Sequence, residues 1–221
     1  MRSPALMVKR DTGIDIYDPS LKLYLPLHDH TTGVSPFISK DLYHYTATVT
    51  GAIWGKYGRT FDGDDNIATT AAATLVGATA LTLEAWVKWA ASPQTSQAVF
   101  ESTSANCWGL GGGWTANKWA FWIHATTWQS SGNSTSNIDT AWHHMVGTYN
   151  GAALVVIIDT VVQASGAVTG NATRDGNIKL GETAAGAGDF KGIIGEARVY
   201  NRVLTAPEIM RNYQNTKRRY I

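Results

Sequence analysis

The segment Leu81–Lys88 reads LTLEAWVK, with an aliphatic side chain at every second position. A period of two places these side chains on one face of a β-strand, as in a sheet that buries that face. The same alternation occurs in Leu21–Leu27, which reads LKLYLPL, and in Trp119–His124, which reads WAFWIH. Clusters of Gly, Thr, Ser, Asn and Asp interrupt the chain about every 8–12 residues, a spacing typical of β-sandwiches. The sequence therefore predicts an all-β fold.

The rest of the chain fits the same fold class. Further strands are predicted at Trp142–Tyr149, Ala153–Ile158, Asn177–Leu180 and Lys191–Tyr200. One segment has the pattern of a helix, with Thr205 as N-cap, Glu208 in the first turn and an end near Asn215. We expect a single domain over Leu21–Ile221, preceded by an N-terminal arm, Met1–Ser20.

Composition limits the classes of function. Of the 221 residues 44% are hydrophobic, so the chain can bury a large core. Its 18 basic and 17 acidic residues leave a net charge of +1, which provides no broad field for attracting nucleic acid or an anionic membrane. The single cysteine, Cys107, excludes an internal disulfide. No secretory signal peptide is recognisable, and the longest apolar run, Ala152–Ile158, is too short for membrane insertion.

Five short motifs carry a family resemblance: Leu23–Leu27 (LYLPL), Gly58–Asp65 (GRTFDGDD), Leu81–Lys88, Trp142–Gly151 (WHHMVGTYNG) and Phe190–Thr205 (FKGIIGEARVYNRVLT). In order and spacing they resemble the laminin-G-like jelly-roll domains of the concanavalin A-like lectin and glucanase superfamily. The resemblance implies a two-sheet antiparallel jelly-roll sandwich with one short C-terminal helix. Two positions depart from the pattern: Thr160 stands in place of a turn glycine, and Gly195 in place of the usual acidic residue.

The carboxylates of the chain do not match those of the glucanases in this superfamily. The resemblance would bring paired carboxylates in a Glu-x-Asp-x-x-Glu pattern, one protonating the leaving group and one acting as nucleophile or base. That pattern is absent, and the acidic residues inside the matching strands are Glu84 and Glu196. Because the first and last matching strands of this fold are often neighbours, we predict a structural ion pair between Glu84 and Arg198. We therefore expect a protein that is not an enzyme.

An acidic turn, Asp62-Gly63-Asp64-Asp65-Asn66, is the candidate metal site. Crowded oxygen ligands suit calcium. The superfamily that the chain resembles often carries a structural Ca²⁺ ion, which is therefore the one cofactor that we consider. The ligands would be Asp62, Asp64 and Asp65, with Asp189 as an additional one. The alternative, which we favour, is a tight turn in which the Asp and Asn side chains cap the backbone.

Tryptophan is the most informative residue type. The chain has nine, and five fall within 21 positions: Trp108, Trp114, Trp119, Trp122 and Trp128. Indole faces stack on the apolar faces of sugar rings, while neighbouring polar groups bind the hydroxyls. Strand alternation assigns Trp119 to the core and turns Trp122 to the opposite face, beside His124. We predict a glycan-binding or interface site formed by Trp114, Trp122, Trp128, His124, Asn117 and Gln129.

Three functions follow from these features. The first is a carbohydrate-binding or adhesive module at an extracellular or virion surface, with a glycan or a surface protein as partner. The second is a virion structural protein, a capsid decoration or tail component, which contacts further copies of itself or another capsid or tail protein. The third and least favoured is a glycosidase. The tryptophan cluster favours the first function, whereas a fold usually found outside cells without a recognisable signal peptide favours the second.

Overall fold

The two longest strands, Leu81–Trp89 and Lys191–Tyr200, pair with each other along almost their whole length in the middle of one sheet. In this computed structural model of the chain, residues 14–71, 78–91, 97–103, 108–113, 115–125, 127–171, 176–183 and 189–221 are described. Two eight-stranded antiparallel sheets form a sandwich, and one short helix follows near the C-terminus. The predicted all-β jelly-roll fold is confirmed.

The strands and the helix are, in chain order, β1 (Leu21–Leu25), β2 (Phe37–Ile38), β3 (Thr46–Thr50), β4 (Ile53–Gly55), β5 (Gly58–Asp62), β6 (Asn66–Thr69), β7 (Leu81–Trp89), β8 (Gln97–Ser102), β9 (Trp108–Gly112), β10 (Trp119–His124), β11 (Trp128–Ser130), β12 (Trp142–Tyr149), β13 (Ala153–Ile158), β14 (Val161–Ala167), β15 (Ile178–Leu180), β16 (Lys191–Tyr200) and α1 (Ala206–Thr216). Short 3-10 helices cover His30–Thr32 and Lys217–Arg219. Sheet A has the strand order β14-β13-β12-β7-β16-β5-β4, with β1 also paired to β16. Sheet B has the order β11-β10-β9-β8-β15-β6-β3-β2.

The main core lies between the two sheets, where the period-two alternation directs the apolar side chains. From β7 it receives Leu83 and Val87, and from β10 it receives Trp119 and Phe121, all of which are fully buried. The intervening residues of β7 and β10 point to the outer faces of the sandwich. Alternation therefore predicts correctly which tryptophan of β10 enters the core.

A second apolar layer lies between the outer face of sheet A and α1. Ile209 of the helix packs there with Tyr24, Val146 and Tyr200, which project from three different strands. The helix begins where the sequence predicts, because the carboxylate of Glu208 accepts a hydrogen bond from the backbone N–H of Thr205. This layer buries an outer sheet face that would otherwise meet solvent.

The described part of the predicted N-terminal arm, residues 14–20, packs on this same layer. Ile14 is buried within its apolar cluster. Asp18 accepts a hydrogen bond from the guanidinium of Arg202 at 3.1 Å, and the Ser20 hydroxyl accepts another from it at 2.9 Å. These contacts connect the segment before β1 to the segment between β16 and α1.

The hairpin between β13 and β14 has an unusual turn. Its two central residues, Asp159 and Thr160, both have positive φ, 48° and 73° respectively. Two-residue hairpin turns of this kind prefer glycine or asparagine, because a β-branched residue is strained at positive φ. The missing glycine noted in the sequence therefore corresponds to a strained backbone position. None of the described helices is long and apolar enough to cross a membrane.

Candidate functional site

The outer face of sheet B carries three of the six residues that the sequence assigned to a binding site, Trp122, His124 and Trp128. Backbone pairing places Gly109 between Glu101 and Trp122 on three adjacent strands, β8, β9 and β10. Pairing of β10 with β11 places Trp122 next to Ser130, and His124 next to Trp128. Side chains that are directly opposite in antiparallel strands share a face, so these residues form one surface.

Trp122 lies on this face as predicted, but it is covered. Only 5% of its surface is exposed, and it packs with Ala98 and Ala120 in a small apolar cluster. Gly109 makes this packing possible, since a Cβ at that position would lie 2.6 Å from Cε2 and Cζ2 of the indole. The indole therefore lies over Gly109 of β9, and with so little of its surface exposed it offers no open face to a sugar. The expectation that Trp122 stacks on a ligand is corrected accordingly.

Among the described residues of this surface, Trp128 is an open aromatic residue. It lies on the edge strand β11 and has 48% of its surface exposed. The ring of His124 stands edge-on to it, with 5.2 Å between the centroids and an interplanar angle of 86°. An exposed indole beside an imidazole combines an apolar stacking surface with a group that can bind hydroxyls.

Gln129 has a structural task in this region. Its amide nitrogen donates to the carbonyl of Thr169 at 3.0 Å, and its amide oxygen accepts from the Thr169 N–H at 2.9 Å. Both ends of the amide are therefore engaged, and they hold β11 against the segment that follows β14. Gln129 positions the neighbouring Trp128, and the predicted direct contact between Gln129 and a glycan is not supported.

Asn117 lies at the far end of β10 from Trp128. It occupies the turn before the strand with a φ of 62°, while His124 ends the strand. Seven residues of extended chain separate the two by roughly 23 Å. The structure therefore does not bring Asn117 into one site with Trp128 and His124. The sixth predicted residue, Trp114, lies outside the described residues.

Glu101 is the residue of this surface that the sequence did not reveal. It is 5% exposed and lies opposite Lys179 of β15, whose ammonium is 3.0 Å from Oε2 of Glu182. A bulge in the pairing between Ala98 and Phe100 breaks the alternation of β8, so the strand is hard to recognise from its sequence. The one indication in the sequence was the set of glycines in β9, because a strand with glycines leaves room for side chains of the neighbouring strands on that face.

The acidic turn adopts the capping arrangement. The Asp65 carboxylate accepts a hydrogen bond from the backbone N–H of Asp62 at 3.0 Å, and the Asp62 carboxylate accepts one from Asp64 at 3.1 Å. Burial and the neighbouring acidic groups Glu182 and Asp64 raise the pKa of Asp189. In the portion of the chain that the structure describes, no three His, Cys, Asp or Glu side chains converge as a metal ion requires. Calcium binding stays a prediction from the sequence.

Glu84 and Arg198 meet in a buried ionic cluster beneath α1. Nη1 of Arg198 is 2.8 Å from Oε1 of Glu84, and its Nη2 is 2.8 Å from Oε1 of Glu196. Nε2 of His144 lies 2.6 Å from the same Glu84 oxygen, and the Asn212 amide of α1 donates to the other oxygen at 3.0 Å. The structure thus brings together the two residues of the predicted ion pair.

This environment lowers the pKa of Glu84, whereas a catalytic acid needs a raised pKa. Burial raises its pKa, but the charge of Arg198 and the hydrogen bond with His144 outweigh burial and lower the pKa to about 2. A glycosidase acid must hold a proton near neutral pH and must reach the substrate. Glu84 and Glu196 are at most 1% exposed, so neither carboxylate reaches the surface.

The adjacent histidines of β12 point to opposite faces of sheet A. While His144 joins the ionic cluster, Nδ1 of His143 lies 2.7 Å from Asp159 and its Nε2 lies 3.0 Å from Asp139. Burial lowers the pKa of His143, but the hydrogen bonds with these two carboxylates outweigh burial and raise it. Both histidines are therefore engaged by carboxylates of the protein itself.

Solved structures with the same fold include domain 4 of AbnA, a GH43 extracellular arabinanase from Geobacillus stearothermophilus, in complex with arabinotriose. The two share 20% identity over 87% of this chain and 98% of that domain, with a TM-score of 0.67. The binding domain of botulinum neurotoxin serotype G has 13% identity over 88% of this chain, with a TM-score of 0.68. Trypanosoma rangeli sialidase has 17% identity over 91% of this chain, with a TM-score of 0.64. The chain spans 50% of the neurotoxin structure and 34% of the sialidase.

Sequence comparison assigns the family directly. No curated protein sequence matches the chain. Residues 61–210, from the end of β5 into α1, match the family model of the concanavalin A-like lectin/glucanases superfamily. The matched region includes the tryptophan-bearing strands β9 to β11 and the charged residues of the buried ionic cluster, Glu84, Glu196 and Arg198. The chain is therefore a member of the concanavalin A-like lectin/glucanases superfamily.

Proposed function

We propose that the chain is a non-enzymatic carbohydrate-binding module whose sugar site is centred on Trp128 and His124. The observation that carries this proposal is the half-exposed indole of Trp128 with an imidazole edge-on to it at 5.2 Å. The indole offers a flat apolar surface to one face of a sugar ring, and the imidazole can bind an adjacent hydroxyl. Family membership and structural neighbours that include an arabinotriose complex support a saccharide as the ligand.

The surroundings of Trp128 favour binding with little rearrangement. Gln129 fixes β11 through two hydrogen bonds to Thr169, and pairing of β11 with β10 fixes His124 opposite Trp128. A ring held in place before binding loses little conformational entropy when it stacks on a ligand. The edge-strand position leaves room for a chain of sugars to extend beyond the sheet.

A glycan array, followed by calorimetry with arabinotriose and with the strongest hits, tests the proposal. Trp128→Ala should remove the saccharide binding at this site, whereas Met210→Ala, a change at a similarly exposed position on α1, should retain it. If the parent protein binds no glycan on the array, or if Trp128→Ala binds as the parent does, the assignment is wrong. The alternative predicted from the sequence, a virion decoration or tail component, stays a prediction, as does an extracellular or virion-surface location.

A further inference from the structure

A second exposed tryptophan is fixed in place at the opposite edge of the sandwich. Trp54 lies on β4, the edge strand of sheet A, and has 38% of its surface exposed. Its indole N–H donates to the carbonyl of Asp29 at 3.1 Å, and the ring lies over Gly33, where a Cβ would approach it to 3.5 Å. The polar atom of the indole is thus satisfied by the protein, and the part that remains exposed is the apolar ring.

The loop beneath Trp54 is held rigidly. Arg59, which pairs with Trp54 across β4 and β5, is 3% exposed. Its guanidinium donates to the carbonyls of Thr32, Val34 and Ala52, which ties the loop to the sheet. The aromatic ring therefore has a defined orientation before any ligand arrives.

Tyr43, another exposed aromatic residue, lacks this arrangement. The ring of Tyr43 stacks on Tyr45 at 5.7 Å and has the ammonium of Lys22 4.4 Å from its centroid. Among the residues that the structure describes, no other aromatic ring stacks on Trp54. Trp54 thus resembles Trp128 in exposure and in its fixed orientation.

The loop that holds the indole of Trp54 also carries polar side chains. The carbonyl that holds the indole belongs to Asp29, whose carboxylate lies 3.4 Å from Nδ1 of His30, and the His30 side chain is 88% exposed. Burial raises the pKa of Asp29, but the hydrogen bonds from Thr31 outweigh it and lower the pKa. A carboxylate on this loop can accept hydrogen bonds from hydroxyls, and it repels anionic groups.

We propose that Trp54, with Asp29 and His30, forms a second saccharide-binding site that is selective for neutral sugars, which makes the chain bivalent. The inference rests on the proposed function, since it takes a saccharide as the ligand. One indole with polar neighbours matches the face of one sugar ring, whereas a protein interface buries about 800 Å² on each partner. The negative charge of the Asp29 carboxylate would also repel an anionic lipid surface, which argues against a membrane as the ligand.

The two tryptophans lie too far apart for one short ligand. Thr135 and Ser136, which follow β11, bond to Gln163 of β14, so β11 lies beside the β14 edge of sheet A. Seven strands from β14 to β4 leave six spacings between them. At about 4.8 Å per spacing, the sites are roughly 29 Å apart. Two short oligosaccharides can therefore bind independently, and a polysaccharide can be cross-linked.

Calorimetric titration with arabinotriose, and with the strongest neutral oligosaccharide from the glycan array, measures the number of sites. We expect two ligands per parent chain, one for Trp54→Ala or Trp128→Ala, and none for the double variant. Ile53→Ala is the matched control, because Ile53 is 72% exposed but points to the other face of β4. His30→Ala changes only an exposed side chain and should lower the affinity of the Trp54 site alone by at least tenfold. It replaces Trp54→Ala in the test if that variant does not fold.

Selectivity gives a second readout. In the Trp128→Ala background, trigalacturonate should bind at least tenfold more weakly than a neutral trisaccharide, and Asp29→Asn should narrow the difference. One site per parent chain, together with parent-like binding by Trp54→Ala and His30→Ala, would overturn the inference and leave the Trp128 site standing. No binding of any saccharide would refute both proposals. Equal binding of neutral and acidic trisaccharides would overturn the selectivity.

Discussion

Replacing Arg198 with methionine should destabilise the fold by about 3–5 kcal/mol, because it leaves two buried carboxylates without their cation. Arg198 is 1% exposed and lies 2.8 Å from both Glu84 and Glu196. Glu84 would keep His144 and Asn212 as partners. Glu196 would keep the hydroxyl of Tyr24 at 3.2 Å. Because methionine fills much of the volume of arginine, the expected decrease in the free energy of unfolding comes from the missing charge rather than from a cavity.

Urea unfolding at pH 7 measures this loss, and thermal unfolding should show a midpoint lowered by about 6–20 °C for a domain of this size. Lys179→Met is the matched control, because it breaks an ion pair with Glu182 that is partly open to solvent. That change should cost less than about 1 kcal/mol. Adding Glu196→Gln to Arg198→Met should recover part of the loss, since a neutral amide needs no counter-charge.

The pH dependence of the variant separates charge from packing. Buried carboxylates without a cation take up protons at a higher pH, so the deficit of Arg198→Met should shrink as the pH falls from about 7 to about 5. If Arg198→Met lowers the free energy of unfolding no more than Lys179→Met does, removal of Arg198 does not leave a costly unpaired charge, and the reasoning is refuted. A loss that is independent of pH would attribute the effect to packing.

Three further changes test other features. Thr160→Gly should stabilise the fold by about 1 kcal/mol in urea unfolding, because it relieves a β-branched residue at a φ of 73°, and an unchanged midpoint would contradict the strain. Since the pKa of His143 is raised, its contribution is complete below about pH 6.5 and is lost as the pH rises through the folded-state pKa. His143→Gln should therefore destabilise more at pH 6 than at pH 8.5, and equal losses would argue against this linkage. Gly109→Val should displace the ring of Trp122, lower stability by about 1–3 kcal/mol and alter near-UV circular dichroism, whereas an unaltered spectrum would show that the ring does not depend on that glycine.

Local periodicity accounts for the part of the site that the sequence predicts. Alternation along one strand separates Trp119 from Trp122, and the same rule sets Glu84 and Arg198 on the outer face of their sheet. Alternation does not show how far other parts of the protein bury the side chains on a given face of a sheet. Trp122 packs over β9 because that strand has a glycine opposite it, and this register pairs strands whose alignment the sequence alone does not give.

Residues in turns and at strand ends were harder to place. The partner of Gln129 is Thr169, 40 positions away, so its structural hydrogen bonds leave no local trace. The bulge in β8 disguises the strand that carries Glu101. Trp54 stands outside the tryptophan-rich region, and its orientation depends on a loop that precedes it by more than twenty residues. Tertiary contacts, rather than composition, decide which aromatic residues face solvent.

The position of β16 determines when this protein can fold during its synthesis. β16 lies between β7 on one side and both β5 and β1 on the other, yet it is the last of the described strands in chain order. Until residue 200 has emerged, sheet A exists as unconnected pieces separated by the gap that β16 will fill. Pairing of β1 with β16 joins segments about 175 residues apart in the chain, and contacts this distant slow folding. Sheet A is therefore completed only after residue 200 has been made, and until then the edges of β7 and β5 that pair with β16 are open to other contacts.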